Sequence, residues 1–243
     1  MIDVTSVPTS RVEWQGAVRI IRSVYPPIDL FEDIADPEDW PLLISAEQKT
    51  NPRLMETLGN IDLVPPARRV GGPGASYLMA PFTHVSTHRT SRFSKGHFGV
   101  LYAGREFQTA LLETAYHHAR FMANTNEPPG WSSQFREILF DLHGDLHDLR
   151  EHNPEHAEHA EHAEALDPAD YQEAQSLGAR LYAAASEGLV YPSVRNPTGE
   201  CAGLFYPDLA SRVLQGRHFD YHWNGSRVDL FREPARGRVY RIV

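Results

Sequence analysis

The side chains that could do chemistry in this sequence are arginines, tyrosines, one carboxylate and one serine at turns and at strand ends. The common catalytic signatures are missing, since there is no G-x-S-x-G elbow, no H-E-x-x-H pair and no nucleophile signature around Cys201. The glycines match neither the dinucleotide fingerprint nor a phosphate-binding loop of the Walker type. An arginine fork can bind a phosphate or a carboxylate through two hydrogen bonds. Taken singly, Tyr102 could be core, Ser193 a strand-end cap and Arg92 a surface turn residue, so the residue types leave anion binding open as an alternative.

The stretch from Arg89 to Met122 would position most of these groups. It has the pattern of a turn, a short strand, a second turn at Gly104 and a helix with an apolar stripe. The other side of that helix carries Thr109, Glu113, Tyr116, His117 and Arg120. Periodicity favours a solvated surface with local ion pairs on that side. The alternative, in which Glu113 faces a cleft beside Tyr102 and Arg92, stays open.

Two arginines of an early strand are further candidates. Residues 17–24 form a strand candidate that carries Arg19 and Arg22 and is ended by Tyr25 and two prolines. A strand arginine usually lies at an edge or at the surface. The alternative is a guanidinium that is aimed at a phosphate or a carboxylate.

The remaining elements favour an α+β fold. Short helices are predicted within residues 28–58, a helix or strand at 77–82, a strand at 135–142 and a helix at 167–186. Short strands are predicted at 189–195, 202–206, 217–223, 228–231 and 238–243. Because helices and strands do not alternate regularly, the pattern favours α+β over a doubly wound parallel sheet.

The length of 243 residues and the hydrophobic share of 41% fit one globular domain. We expect a loosely held arm at residues 1–16 and a single domain at residues 17–243. The sequence shows no window of 18 apolar residues and no secretory signal. The lone cysteine, Cys201, excludes an internal disulfide framework. A cytoplasmic location without membrane contact is therefore expected.

The net charge of −9 is concentrated in an insertion at about residues 145–170, which holds nine acidic residues and one basic residue. The rest of the chain is nearly neutral and shows no basic stripe, which argues against direct nucleic-acid binding. Within the insertion, His156, His159 and His162 recur at a spacing that could share a metal ion. The interleaved alanines and glutamates favour a solvated helix instead, so no metal site is predicted.

Four sequence blocks give the chain a resemblance to a known family. They are Arg19-Ile20-Ile21, Ser91-Arg92-Phe93 followed by Gly99-Val100-Leu101-Tyr102, Thr109-Ala110-Leu111-Leu112-Glu113, and Gly188-Leu189-Val190-Tyr191-Pro192-Ser193-Val194-Arg195. In order and spacing they resemble RES-domain proteins, the toxins of RES–Xre toxin–antitoxin systems, a family named for an arginine, a glutamate and a serine. The likeness covers roughly residues 17–206. One departure is that the block at Arg92 reads S-R-F-S where short members have G-R-W-N.

This resemblance implies a RES fold similar to that of ADP-ribosyltransferases, with small central β-sheets flanked by helices, and an enzyme that consumes NAD⁺. Some members cleave the nicotinamide–ribose bond with phosphate or water as acceptor, and others transfer ADP-ribose to a protein. The catalytic residues implied here are Arg92, Glu113 and Ser193. The residues implied in binding NAD⁺ are Arg19, Arg22, Arg92, Tyr102 and Ser193. Of these, Arg19 and Arg22 are alternatives for one position of the motif.

The roles that follow from the resemblance suit the residue types. Glu113 would stabilise positive charge on the ribose carbon or orient an acceptor hydroxyl. The arginines would hold the pyrophosphate or an incoming inorganic phosphate. Tyr102 would offer its ring to the nicotinamide, and Ser193 would hydrogen-bond a ribose, amide or phosphate oxygen.

The resemblance also implies a partner, an Xre-type antitoxin that covers the active site, and a homodimer within a larger complex stays open. The expected cellular effect is inhibition of growth. A mono-ADP-ribosyltransferase that modifies a host protein is the alternative that uses the same pocket. A catalytically silent module that binds a nucleotide or a partner is the alternative of another class.

Overall fold

The structure is a computed structural model that describes residues 7–25, 36–47, 58–150 and 163–242. The predicted helix at 28–34, all but the last residue of the one at 54–58, and the histidine repeat at 156–162 lie outside the described residues. No helix in the described ranges is long and apolar enough to cross a membrane.

Eight strands form one sheet across the described residues. Their bounds are β1 Thr9–Arg22, β2 Leu101–Gly104, β3 Ser132–Asp148, β4 Gly188–Pro192, β5 Glu200–Leu204, β6 Ala210–Trp223, β7 Val228–Glu233 and β8 Arg238–Arg241. The strand order is β1-β2-β5-β4-β3-β6-β7-β8, and β1 also pairs with β3. The pairings of β1, β2, β5, β4 and β3 therefore return to their start as a closed ring. The β3–β4 pair is parallel and the others are antiparallel.

Within the described ranges four α-helices pack on this sheet, namely α1 Trp40–Glu47, α2 Ala75–Thr83, α3 Phe107–Met122 and α4 Gln172–Ala183. The buried side of α2 joins α1 and the strands of the ring in one apolar cluster. The buried side of α4 packs with Phe93, β4 and β5 in a second cluster. The buried side of α3 packs with β1, β6 and β7 in a third. Helices α3 and α4 are thus held on the sheet by different apolar clusters.

The α+β prediction is confirmed, with one difference in the sheet. A single large sheet stands where the resemblance implied small central sheets. The reason is the length of β1 and β3, which pair along their whole course from Thr9 with His147 to Arg22 with Phe135. Besides each other, β1 pairs with β2, and β3 pairs with β4 and β6. These pairings join all eight strands into one sheet.

The predicted arm at residues 1–16 is wrong for its second half, because β1 begins at Thr9. Buried and exposed residues alternate at the start of this strand: Arg11 and Glu13 are exposed, and Val12 and Trp14 are buried. This alternation is too short to stand out in the sequence. The acidic insertion also begins later than predicted, because Asp145 to Asp148 belong to β3. Residues 151–162 of that insertion lie outside the described residues.

Candidate active site

A cavity of about 620 Å³ opens between β1, β2, α3 and the segment 169–175. Four of the predicted site residues line it: Arg19, Arg92, Tyr102 and Glu113. Further charged or titratable residues of its wall are His117, Arg120, Asp170, Tyr171, Tyr191 and Cys201. Among the described residues, no group of three histidine, cysteine, aspartate or glutamate side chains could hold a metal ion.

Helix α3 brings its charged side to this cavity because it packs very closely on β2. A Cβ atom on Gly104 would lie 2.7 Å from the backbone nitrogen of Ala110, so only glycine permits this approach. Glu113, His117 and Arg120 follow one another at helical spacing on one face, and all three line the cavity. The alternative that periodicity left open is therefore decided: Glu113 faces a cleft that Tyr102 and Arg92 also line.

The Glu113 carboxylate is held by the predicted serine. The Ser193 hydroxyl donates to Glu113 Oε1 at 2.7 Å. Ser193 Oγ in turn accepts hydrogen bonds from the backbone N–H groups of Arg195, at 3.2 Å, and Asn196, at 3.0 Å. Because its one proton is directed at the carboxylate, the serine is placed to orient Glu113 and not to attack a substrate.

A second hydrogen bond connects the turn that follows Ser193, residues 193–199, to α3. The buried side chain of Asn196 donates through Nδ2 to Thr109 Oγ1 at 3.0 Å, one helical turn before Glu113. A Cβ atom on Gly199 would lie 2.2 Å from that Thr109 oxygen, so glycine is needed where the turn crosses the helix. Thr109, placed on the polar side of the helix by periodicity, is in fact fully buried by this contact.

Cys201 lies in the same wall but is not a nucleophile. Burial raises the pKa of its thiol to about 12, and the nearby Glu113 carboxylate adds to that rise. The thiol therefore stays protonated at neutral pH, and a thiol is far less nucleophilic than a thiolate. Its place in β5, directly opposite Tyr191 in β4, makes it part of the packed floor beneath Glu113.

Only one of the two early arginines reaches the cavity. Arg19 lines it and donates through Nη1 to the carbonyl oxygen of Tyr102 at 3.0 Å. Burial lowers the pKa of the Arg19 guanidinium to about 10, which leaves it charged at neutral pH. Arg22 lies outside, with its guanidinium 5.4 Å from the centre of the half-exposed Phe121 ring. Residues three apart on a strand point to opposite faces, so the two arginines cannot share one site.

Tyr102 fixes the loop that carries Arg92. Its hydroxyl oxygen accepts a hydrogen bond from the Phe93 N–H at 2.9 Å and lies 2.9 Å from the Ser91 hydroxyl. Burial raises the pKa of this phenol to about 12, so it stays neutral. The hydroxyl thus holds the loop in place, and a bound molecule can contact only the ring of Tyr102.

Arg92 joins the cavity to the segment that follows the acidic insertion. Its Nη1 donates to the carbonyl oxygens of Ala165, at 3.3 Å, and Asp167, at 2.8 Å. Its guanidinium also lies 4.4 Å from the centre of the Tyr171 ring. Arg92 is therefore buried and fixed, where the sequence alone allowed an exposed turn residue.

Sequence reasoning missed the wall formed by residues 169–175. The sequence predicts that a helix begins at 167, whereas α4 begins at Gln172, and Tyr171 just before it lines the cavity. Gln175 also lines it and donates to the Ser91 carbonyl oxygen at 2.9 Å. No local pattern could have shown this, because these contacts join residues about 80 positions apart.

The RES domain model matches residues 66–224, well over half of the chain. That span holds Arg92, Tyr102, Glu113 and Ser193, the residues whose blocks predicted it. The chain belongs to the RES domain family. This confirms the family that the sequence blocks indicated.

Two similar proteins place this RES domain among others. One is the uncharacterized protein y4oC of Sinorhizobium fredii, 26% identical over 216 residues that span 87% of this chain and 84% of that protein. The other is a solved structure, the M. tuberculosis MbcT–MbcA toxin–antitoxin complex, with 12% identity, a TM-score of 0.44 and 90% of each chain covered. Neither likeness assigns a substrate to this RES domain.

Proposed function

We propose that this RES-domain chain is a toxin that consumes NAD⁺ by cleaving the nicotinamide–ribose bond, with inorganic phosphate or water as acceptor. The observation that carries the proposal is the Glu113 carboxylate, oriented by the Ser193 hydroxyl at 2.7 Å, in a cavity that Arg19 and Arg92 also line. An oriented carboxylate beside fixed cations suits a substrate that carries an anionic group and develops positive charge at another atom during the reaction.

In the proposed reaction the bond between the ribose carbon and the nicotinamide nitrogen breaks, and its electron pair leaves with the nicotinamide. The positive charge that remains on the ribose is stabilised by Glu113. Arg19 and Arg92 hold the pyrophosphate, or the incoming phosphate, through charge-assisted hydrogen bonds. The acceptor oxygen then bonds to the ribose carbon, and Glu113 orients it. When water is the acceptor, the proton that it loses is released to solvent. Neither Ser193 nor Cys201 takes part as a nucleophile, since the first donates to Glu113 and the second is protonated.

A cell that makes such an enzyme must restrain it, and we propose an Xre-type antitoxin that covers the cavity as the restraining partner. The proposed location is the cytoplasm, where NAD⁺ is available. Unrestrained turnover is proposed to stop growth. A homodimer within the toxin–antitoxin complex, no membrane contact and no direct binding of nucleic acid complete the proposal.

The test is nicotinamide release from NAD⁺ by the purified chain, measured with and without inorganic phosphate. Release that rises with phosphate supports phosphorolysis, and release that ignores phosphate supports hydrolysis. If NAD⁺ labelled in its adenylate half transfers the label to a protein, the activity is mono-ADP-ribosylation of a target, and the proposal is overturned. Tight NAD⁺ binding with no release under any condition would replace it by a silent binding module.

Of the two arginines in β1, Arg19 is expected to be the one that binds NAD⁺. Arg19→Gln should raise the KM for NAD⁺ by roughly tenfold to a hundredfold, the usual loss when a hydrogen bond to a charged group is removed. Arg22→Gln is the matched control and should keep the wild-type KM, because Arg22 lies over Phe121 and outside the cavity. Steady-state kinetics of both variants decide the matter, and equal losses in the two would contradict the placement of Arg19.

A further inference from the structure

One tyrosine of the cavity wall has a hydroxyl that the described part of the protein leaves unpaired. The Tyr171 hydroxyl oxygen is buried and has no hydrogen-bond partner among the described residues. Buried polar groups are nearly always paired in native proteins, and the exceptions call for an explanation. Because Tyr171 lines the cavity, a molecule bound there is the natural partner.

The ring of Tyr171 is fixed beside the cation that the proposed reaction needs. The Arg92 guanidinium lies 4.4 Å from the ring centre, in the geometry of a cation–π contact. Arg92 is itself held by the carbonyl oxygens of Ala165 and Asp167 in the chain just before Tyr171. The hydroxyl and the guanidinium therefore keep a constant position relative to each other at one wall.

A neutral hydroxyl donor next to a fixed guanidinium suits an anionic oxygen better than any other group. The guanidinium supplies charge and donors only, and the hydroxyl supplies one more donor. Arg19 and Arg120 add positive charge to the same cavity, against the carboxylates of Glu113 and Asp170. Asp170 already accepts a hydrogen bond from the Gln172 N–H at 2.9 Å, which engages one of its oxygens.

We propose that Tyr171 is a substrate-binding residue whose hydroxyl donates to a phosphoryl oxygen that Arg92 binds at the same time. The proposal rests on the proposed function for the presence of a phosphate group in the cavity. That phosphate has two sources in the reaction, the pyrophosphate of NAD⁺ and free inorganic phosphate. Both present the same oxygens, and the experiment separates them.

The test is calorimetric binding of two probes, ADP-ribose and inorganic phosphate, to the wild type and to Tyr171→Phe. Phenylalanine keeps the ring over Arg92 and removes only the hydroxyl. We expect affinity for one probe to fall by about tenfold to a hundredfold, as for a hydrogen bond to a charged partner. A fall for ADP-ribose assigns the hydroxyl to the pyrophosphate, and a fall for inorganic phosphate assigns it to the acceptor.

The matched control is Tyr182→Phe in α4, whose ring stacks on Phe98 at 4.2 Å and does not line the cavity. It should bind both probes as the wild type does. The melting temperature of unliganded Tyr171→Phe should equal or exceed that of the wild type, because the removed hydroxyl has no hydrogen-bond partner among the residues that the structure describes. A lower melting temperature with unchanged binding would assign the hydroxyl a structural role and overturn the proposal.

The outcomes separate this inference from the proposed reaction. Unchanged affinity of Tyr171→Phe for both probes overturns the inference, even if the wild type releases nicotinamide. A loss of affinity in a protein that never releases nicotinamide keeps the phosphate subsite and overturns the reaction. A wild type that binds neither probe overturns the subsite.

Discussion

Glu113→Gln is expected to lower nicotinamide release from NAD⁺ by about a hundredfold to a thousandfold, the usual effect of removing one preorganised electrostatic contact to a transition state. Glutamine has the same shape as glutamate but no charge, so it cannot stabilise a positive ribose carbon. The Ser193 hydroxyl can still donate to the amide oxygen, as it does to Glu113 Oε1. The fold and the binding of NAD⁺ should therefore persist while turnover is lost.

The measurement is kcat and KM for nicotinamide release, beside the melting temperature of each protein. Glu106→Gln is the matched control, because it makes the same exchange at an exposed position just before α3 that does not line the cavity. It should behave as the wild type. Wild-type turnover in Glu113→Gln would remove the carboxylate from the mechanism and with it the proposed reaction. A variant that melts much lower than the wild type would assign Glu113 to stability.

The family could be predicted from the sequence because its blocks are local. Arg92, Glu113 and Ser193 each lie in a short sequence motif that can be recognised without knowing the tertiary structure. The RES domain model covers all three motifs. The strand–turn–helix pattern around Glu113 was also local, and α3 runs from Phe107 to Met122 as that pattern indicated. These predictions needed no knowledge of what packs against what.

The walls of the cavity could not be predicted, because they come from contacts between distant parts of the chain. The side of α3 that carries Glu113 looked solvated until β1, β2 and the segment 169–175 were in place around it. Tyr171 reaches the cavity only because Arg92 binds the carbonyl oxygens of Ala165 and Asp167. That Arg19 and Arg22 cannot both line the cavity was within reach of the sequence, since an odd spacing on a strand separates the two faces. Which of the two lines it was not, because that depends on what packs against each face of β1.

The packing that holds the start of α3 depends on a charged cluster beside it. Arg217 in β6 donates through Nη2 and Nε to Glu137 in β3, at 2.8 and 2.9 Å, and through Nη1 to Glu233 in β7, at 3.0 Å. Both carboxylates are buried, with 4% and 3% of their surface exposed. The guanidinium also lies 3.7 Å from the centre of the Phe107 ring, the first residue of α3. One arginine thus joins three strands and the site helix.

Glu137 makes this cluster sensitive to acid. Burial alone would raise the pKa of its carboxyl, but the hydrogen bonds and charge of Arg217 outweigh burial and hold the pKa below its ordinary value of 4.5. A carboxylate with a depressed pKa in the folded state stabilises the fold above its ordinary pKa. That contribution is lost as the pH falls through the lowered pKa, so the wild type should lose stability below about pH 4.5.

Arg217→Met is expected to lower the free energy of unfolding by about 3 kcal/mol at pH 7, because it leaves the buried Glu137 carboxylate without its hydrogen-bonded cation and Glu233 with Arg236 alone, 3.8 Å away. In the variant, burial acts on Glu137 without Arg217, so its pKa rises and protonation relieves the unpaired charge. The deficit should therefore shrink between pH 7 and pH 4, which urea unfolding at both values measures. Arg232→Met, at an exposed position of β7, should change stability by less than about 0.5 kcal/mol. A deficit that is the same at both pH values would assign the effect to lost packing on Phe107 and not to charge.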